Sequence, residues 1–247
     1  MIEFFANSLF TGFSASSGIG KGIVYVQLLS SLVMFTYIFG KYRELTGLTK
    51  ASLLAVREVL GGRNVLSCYL QRKSNVYHQD GSSPVDAIYM RTCERLVARL
   101  TNEVRSQLSA DLVATGRGLS LHNFELVKSM AEQVFEEESD RAEKGMGVIA
   151  TVVALAPMLG LLGTVWGVLD AFDSMGTAGT ATIATMAPAI SSALVTTVAG
   201  LCVAIPGVAA HNALSAKLRT LTAKWEGFLD DFIGCIGRDF EENGRSV

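Results

Sequence analysis

Two stretches of this 247-residue chain carry no Asp, Glu, Lys or Arg: residues 145–169, 25 positions, and residues 174–216, 43 positions. A bilayer span needs about 20 apolar residues, and helices in water rarely run so long without charge. A third uncharged run, GIVYVQLLSSLVMFTYIFG, fills the nineteen positions 22–40. The chain is 49% hydrophobic and only 18% charged, with a mean hydropathy of +0.35, so the apolar excess is concentrated in these runs. They exclude an ordinary soluble enzyme and predict an all-α integral membrane protein with three transmembrane helices, at 22–40, 145–169 and 183–210. The run at 22–40 is long for a signal-peptide core and ends on Lys41 and Arg43, a stop-transfer flank. It reads as a retained helix.

The placement of Lys and Arg predicts orientation. Residues 41–144 hold fifteen of the twenty-one, the tail after Ala216 holds five, and the connection 170–182 holds none. A short N-terminal segment, 1–21, and the connection 170–182 are therefore expected outside. The domain 41–144 and the C-terminal helix 211–247 are expected in the cytoplasm. The formal charge of −2 gives no basic field for nucleic acid. Four cysteines without a CxxC pair suit a reduced or lipid-buried setting rather than a disulfide framework.

The cytoplasmic parts read as helical. Leu45, Leu48, Leu53, Leu54, Val56 and Leu60 continue the first helix as far as Gly61-Gly62. The run from His78 to Pro84 reads as a turn, and Ile88, Leu96, Leu100, Val104 and Leu108 follow at helical spacing. A helix opening at Ser120 meets no strong breaker before the second span, so one rod is expected to run into the membrane. Its acidic run, Glu136 to Glu138, reads as a solvated face. Leu214, Leu218, Leu221, Trp225, Phe228, Leu229 and Phe232 mark one apolar stripe in the tail.

Spans two and three contain no Asp, Glu, Lys, Arg or His within the hydrocarbon, although such groups are the usual markers of an ion path. They are instead rich in small residues and hydroxyls. Gly160, Gly163 and Gly167, with Ala189, Ala193, Gly200, Ala204 and Gly207, form seams along which helices can pack closely. Thr185, Ser192 and Thr196 fall within about 40° of one another on a helix of 3.6 residues per turn. Each hydroxyl can back-bond to its own helix, but repetition on one face suggests a polar lining. Pro157, Pro188 and Pro206 are candidate kinks, because each frees a carbonyl. Parts for an enzyme are missing. His78, His122 and His211 lack HExxH spacing, Gly18-Ile-Gly20-Lys21 is no P-loop, and no pattern calls for a metal or cofactor.

The string Ala156-Pro-Met-Leu-Gly-Leu-Leu-Gly-Thr164-Val-Trp166-Gly-Val168 resembles the second-span signature of the TolQ/ExbB/MotA proton-channel family. Ala187-Pro-Ala-Ile-Ser-Ser192-Ala-Leu-Val-Thr196-Thr197-Val-Ala-Gly200-Leu201 and Ala204-Ile-Pro206 resemble its third-span signature. The three-span layout sets the chain apart from the four-span flagellar stators, and Asn212 with the Lys217/Trp225/Phe228 helix leans to the TolQ branch before the ExbB branch. The resemblance implies a bacterial inner-membrane ring of five subunits around a single-span TolR/ExbD-like partner with an intramembrane Asp. Proton flow would be coupled to work on the cell envelope through a TolA/TonB-like energy transducer. It also implies that Thr164 and Thr197 match the family's pore-lining threonines. One departure stands out: the family usually has a glutamate where this chain has Ser192, and serine cannot titrate near neutral pH. A non-conducting ring that anchors a single-span partner is the competing expectation.

Overall fold

The computed structural model describes residues 13–14, 18–60, 83–107, 121–178 and 183–245. Five helices account for almost all of them: α1 (Gly18–Leu60), α2 (Pro84–Gln107), α3 (Leu121–Glu143), α4 (Met146–Ala178) and α5 (Ile183–Arg245). Among the described residues, three helices are long and apolar enough to cross a membrane. The C-terminal end of α4 runs on to Ala178, beyond the end of the apolar run, and α5 continues without a break from the third span through the tail stripe.

The chain divides into two compact units. The first holds the described residues up to Tyr42 together with Gly145–Ser215. Its burial is inverted relative to a soluble core. Ile23, Gln27 and Met34 are buried at helical spacing on one face of α1, and Ala156, Ala193 and Ala204 are buried on α4 and α5. Leu28, Leu29, Leu32, Phe35 and Phe39 point outward, Leu32 with 67% of its surface exposed. Small residues inside and large apolar ones outside is the arrangement expected where lipid, not water, surrounds the helices and close packing holds them together.

The second unit, Arg43–Lys144 with Ala216–Val247, has an ordinary apolar core. The tail positions Leu218, Leu221, Trp225, Phe228, Leu229, Phe232 and Ile236 are all buried, as their three- and four-residue spacing requires. Phe232 meets the edge of Tyr89 at 5.6 Å and stacks on Phe228. Trp225 Nε1 donates to Ser52 Oγ at 2.9 Å, giving a buried indole the acceptor it needs. Lys217 Nζ donates to Thr46 Oγ1.

Two expectations need correction. The acidic run is not simply a solvated face. Glu138 is buried and pairs with Arg91 at 3.1 Å and Arg141 at 2.8 Å, while Glu137 faces Arg91 and Arg95. Two members of the run, Glu137 and Glu138, therefore pair with arginines of α2. Nor does one rod lead from α3 into α4. The helix stops at Glu143, and Gly145 takes φ +87°, the left-handed conformation that ends a helix. Lys144 N still reaches back to Asp140 O at 3.2 Å, and a fresh helix starts with Ile149 N on Gly145 O. A single glycine, unremarkable among its apolar neighbours, acts as the breaker.

Candidate functional site

Within the first unit, α4 and α5 run antiparallel along a line of close backbone approach. Ala156 faces Gly200, Gly160 faces Thr196 and Thr197, Gly163 faces Thr196, and Gly167 faces Ala193. A Cβ added to Gly160 would stand 2.9 Å from the Thr197 Cα, and one on Gly167 would stand 2.6 Å from the Ala193 Cβ. At Gly163 the added carbon would overlap the Thr196 side chain. The contact exists because α4 presents hydrogen atoms at 160, 163 and 167, one per turn. Further along, Gly207 opposes Val153 and Met34, and Ala204 is buried. Ala189 borders the same line through its carbonyl, 3.6 Å from a Cβ on Gly167.

The hydroxyls are distributed along this seam. Thr196 is 1% exposed, and its one proton is shared between Ala193 O at 2.7 Å and Gly160 O at 3.3 Å. Thr197 crosses to the other helix and donates to Gly160 O at 2.8 Å. Gly160 O therefore collects two hydroxyls from α5 in addition to its helical partner. Ser192, also buried, bonds back to Ala189 O at 3.1 Å. Thr164 lies partly exposed on α4 and donates to Leu161 O at 2.7 Å, within its own helix. Thr185 belongs to α5, but its side chain lies outside the described residues. The structure thus gathers Thr196 and Thr197 around Gly160 and Gly163. Thr164 and Ser192 hold only local bonds. Pro157 lies inside α4, and Pro188 and Pro206 inside α5.

One residue was missed by the sequence reading. Gln27 of α1 is buried at 1% exposure and inserts its amide between the other two spans. Nε2 donates to Ala156 O and to Thr196 O, 3.3 Å each. The absence of a side chain at Gly200 makes room, since a Cβ there would lie 3.0 Å from Nε2. The signal was present: a lone Gln in an uncharged nineteen-residue run is costly in hydrocarbon unless its amide is bonded to a neighbouring helix.

Chemically, the site is a neutral set of hydroxyls, carbonyls and one amide. It can donate and accept hydrogen bonds but has no acid or base of its own, and among the described residues no group of His, Cys, Asp or Glu could hold a metal. Residues 105–227 match the family described as the MotA/TolQ/ExbB proton channel family. The chain is 33% identical over 165 residues to the Tol-Pal system protein TolQ of Pseudomonas aeruginosa, covering 67% of this chain and 68% of that protein. It is 41% identical over 132 residues to the biopolymer transport protein ExbB of Xanthomonas campestris pv. campestris, 53% of this chain and half of that protein's length. A TolQ from Haemophilus influenzae is 38% identical over 101 residues, 41% of this chain and 44% of the relative. An acid-free hydroxyl seam between two apolar spans, and matches to proton-channel proteins across those spans, give one conclusion: this chain belongs to the MotA/TolQ/ExbB proton channel family, whose members are channels and not enzymes.

Proposed function

We propose that this chain is the ring-forming subunit of a proton-driven motor in the bacterial inner membrane, working with a TolR/ExbD-like single-span partner. In this reading the N-terminal segment and the connection between α4 and α5 lie outside, and the Lys- and Arg-rich second unit lies in the cytoplasm. Five copies surround the partner's helices, and an Asp on those helices carries the proton. Thr164, Thr197, Ser192 and Thr185 supply hydroxyls that orient water or solvate that carboxylate, and Thr196, buried in the contact with α4, backs them. Gly and Ala along the seam allow the helices to stay close around it. Moving one charge through the membrane potential yields about 2.3 kcal/mol per 100 mV, enough to bias a two-state movement. A TolA/TonB-like transducer passes that movement to the envelope.

The observation that carries this reading is the seam itself. Thr197 hangs on the Gly160 carbonyl, and no Asp, Glu, Lys, Arg or His accompanies it in either span. A proton relay built from such parts needs an acid brought by another helix. Replacing Thr164 and Thr197 together by alanine should abolish motor output, measured as loss of envelope integrity, while the complex still co-purifies with its partner. Full output from the double variant would overturn the lining.

Ser192 favours a second reading, a ring that anchors its partner without conducting, because the family's usual glutamate is missing there. The two readings separate on the partner: a single-span protein whose helix contains an Asp supports the channel, and one without any intramembrane acid supports the scaffold.

A further inference from the structure

Gln27 is left with half of its chemistry unused. Its Nε2 is committed to two carbonyls, while its Oε1 is sealed from solvent and receives no hydrogen bond from any protein group. Turning the amide over would set Oε1 against the carbonyl oxygens of Ala156 and Thr196, so the orientation is fixed by its neighbours. The hydroxyls of that turn cannot help. Thr196 shares its proton between Ala193 O and Gly160 O, and Thr197 gives its proton to Gly160 O. A buried acceptor without a donor is destabilising. Internal water is the usual remedy where a polar group is enclosed and more than one partner is at hand.

We propose that Gln27 Oε1 anchors an internal water molecule among the three spans, behind the Thr196–Thr197 turn of α5. The water donates one proton to Oε1. Its second proton goes to an oxygen of the same turn, for which the Thr196 hydroxyl is an acceptor. Gly200 is part of the site, because a Cβ there would stand 2.5 Å from Ala156 O, the carbonyl that takes one amide hydrogen bond, and 3.0 Å from Nε2. Resting on the proton-channel reading, this water gives the first span a positioning role in conduction. It hydrates the back of the turn that carries Thr197, so that the hydroxyl can leave Gly160 O without stripping that turn of every polar contact.

The direct test is water-edited solid-state NMR on the full chain in lipid bilayers, with glutamine side-chain amides labelled. The Gln27 signal is the one lost in Gln27→Leu, or in Gln27→Glu should the leucine variant fail to assemble. Transfer from water to the Gln27 amide at a rate within a few-fold of that for exposed glutamines is the expected result. Transfer no faster than to buried backbone amides of the same spans overturns the site. A second measurement addresses the role. In liposomes holding the chain with its partner, Gln27→Leu should lower proton flux about tenfold, and Gln27→Asn, which keeps an uncharged amide with both donor and acceptor, should restore part of it. A hydrated Gln27 with unchanged flux in the leucine variant overturns the role in conduction and leaves the threonine lining standing, because the alanine double variant tests that separately.

Discussion

At the scale of single residues, the same amino acid has opposite value in the two units. Gly160 and Gly167 stand against backbone or a backbone-anchored Cβ, which cannot rotate away, so an added methyl must push α4 off α5. Gly160→Ala and Gly167→Ala should each cost about 1–3 kcal/mol, the usual range for overpacking, seen as a lower unfolding midpoint in detergent. Gly234 is helical with nothing within 4 Å of an added Cβ. Gly234→Ala should raise the midpoint, since glycine in a helix interior is worse than alanine by roughly 0.5–1 kcal/mol. Reversal of that order would contradict the seam. The glycine spacing made a close contact legible in the sequence, but not which α5 residue meets which glycine. Thr196 shows why: it shares a stripe with Ser192 and Thr185, yet its side chain sits against Gly163 in the chain's own helix contact. A stripe gives an angle around one helix, not the identity of the surface it meets.

At the scale of elements, periodicity carried most of the information. The stripe from Leu218 to Phe232 named the buried face of the α5 tail residue by residue, because an amphipathic helix in water has one apolar side to hide. The join between α3 and α4 was illegible for a related reason. Gly145 lies beside a run where glycines are common, and only its left-handed φ shows that it ends a helix and does not line one. An L-residue held in that conformation costs about 1–2 kcal/mol, and a Cβ there would also press on Tyr37 Cδ1 at 3.2 Å. Gly145→Ala should therefore lower the unfolding midpoint. Gly145→Asn, a residue that visits this conformation more readily, should recover part of the loss relative to alanine. Equal midpoints for the two variants would mean that the steric contact with Tyr37, not the backbone, sets the cost. The Arg91–Glu138 pair was hidden too, because charge order along α3 does not reveal that a second helix offers arginines at the right height.

At the scale of the whole molecule, the division of charge decides what the chain can do alone. The second and third spans hold hydroxyls and carbonyls that can pass a hydrogen bond along, and the first adds the Gln27 amide, but nothing there releases a proton near neutral pH. A relay confined to such groups must create an ion in hydrocarbon at every passage, which is costly in a medium of low dielectric. In the proposed motor, a carboxyl on a partner's helix would remove that obstacle, because it would alternate between neutral and charged forms at one fixed place. The purified chain in liposomes should therefore leave an imposed pH gradient intact, and adding the single-span partner should dissipate it. Replacing the partner's intramembrane Asp by Asn should return the leak to the level of the chain alone. Introducing a carboxyl here, as Ser192→Glu, should not rescue that partner variant, because an acid fixed on α5 stays with the ring subunit and does not travel with the partner's helix. Rapid proton uptake by the unmodified chain alone would place the acid within it, and the whole division of labour between the two proteins would fall.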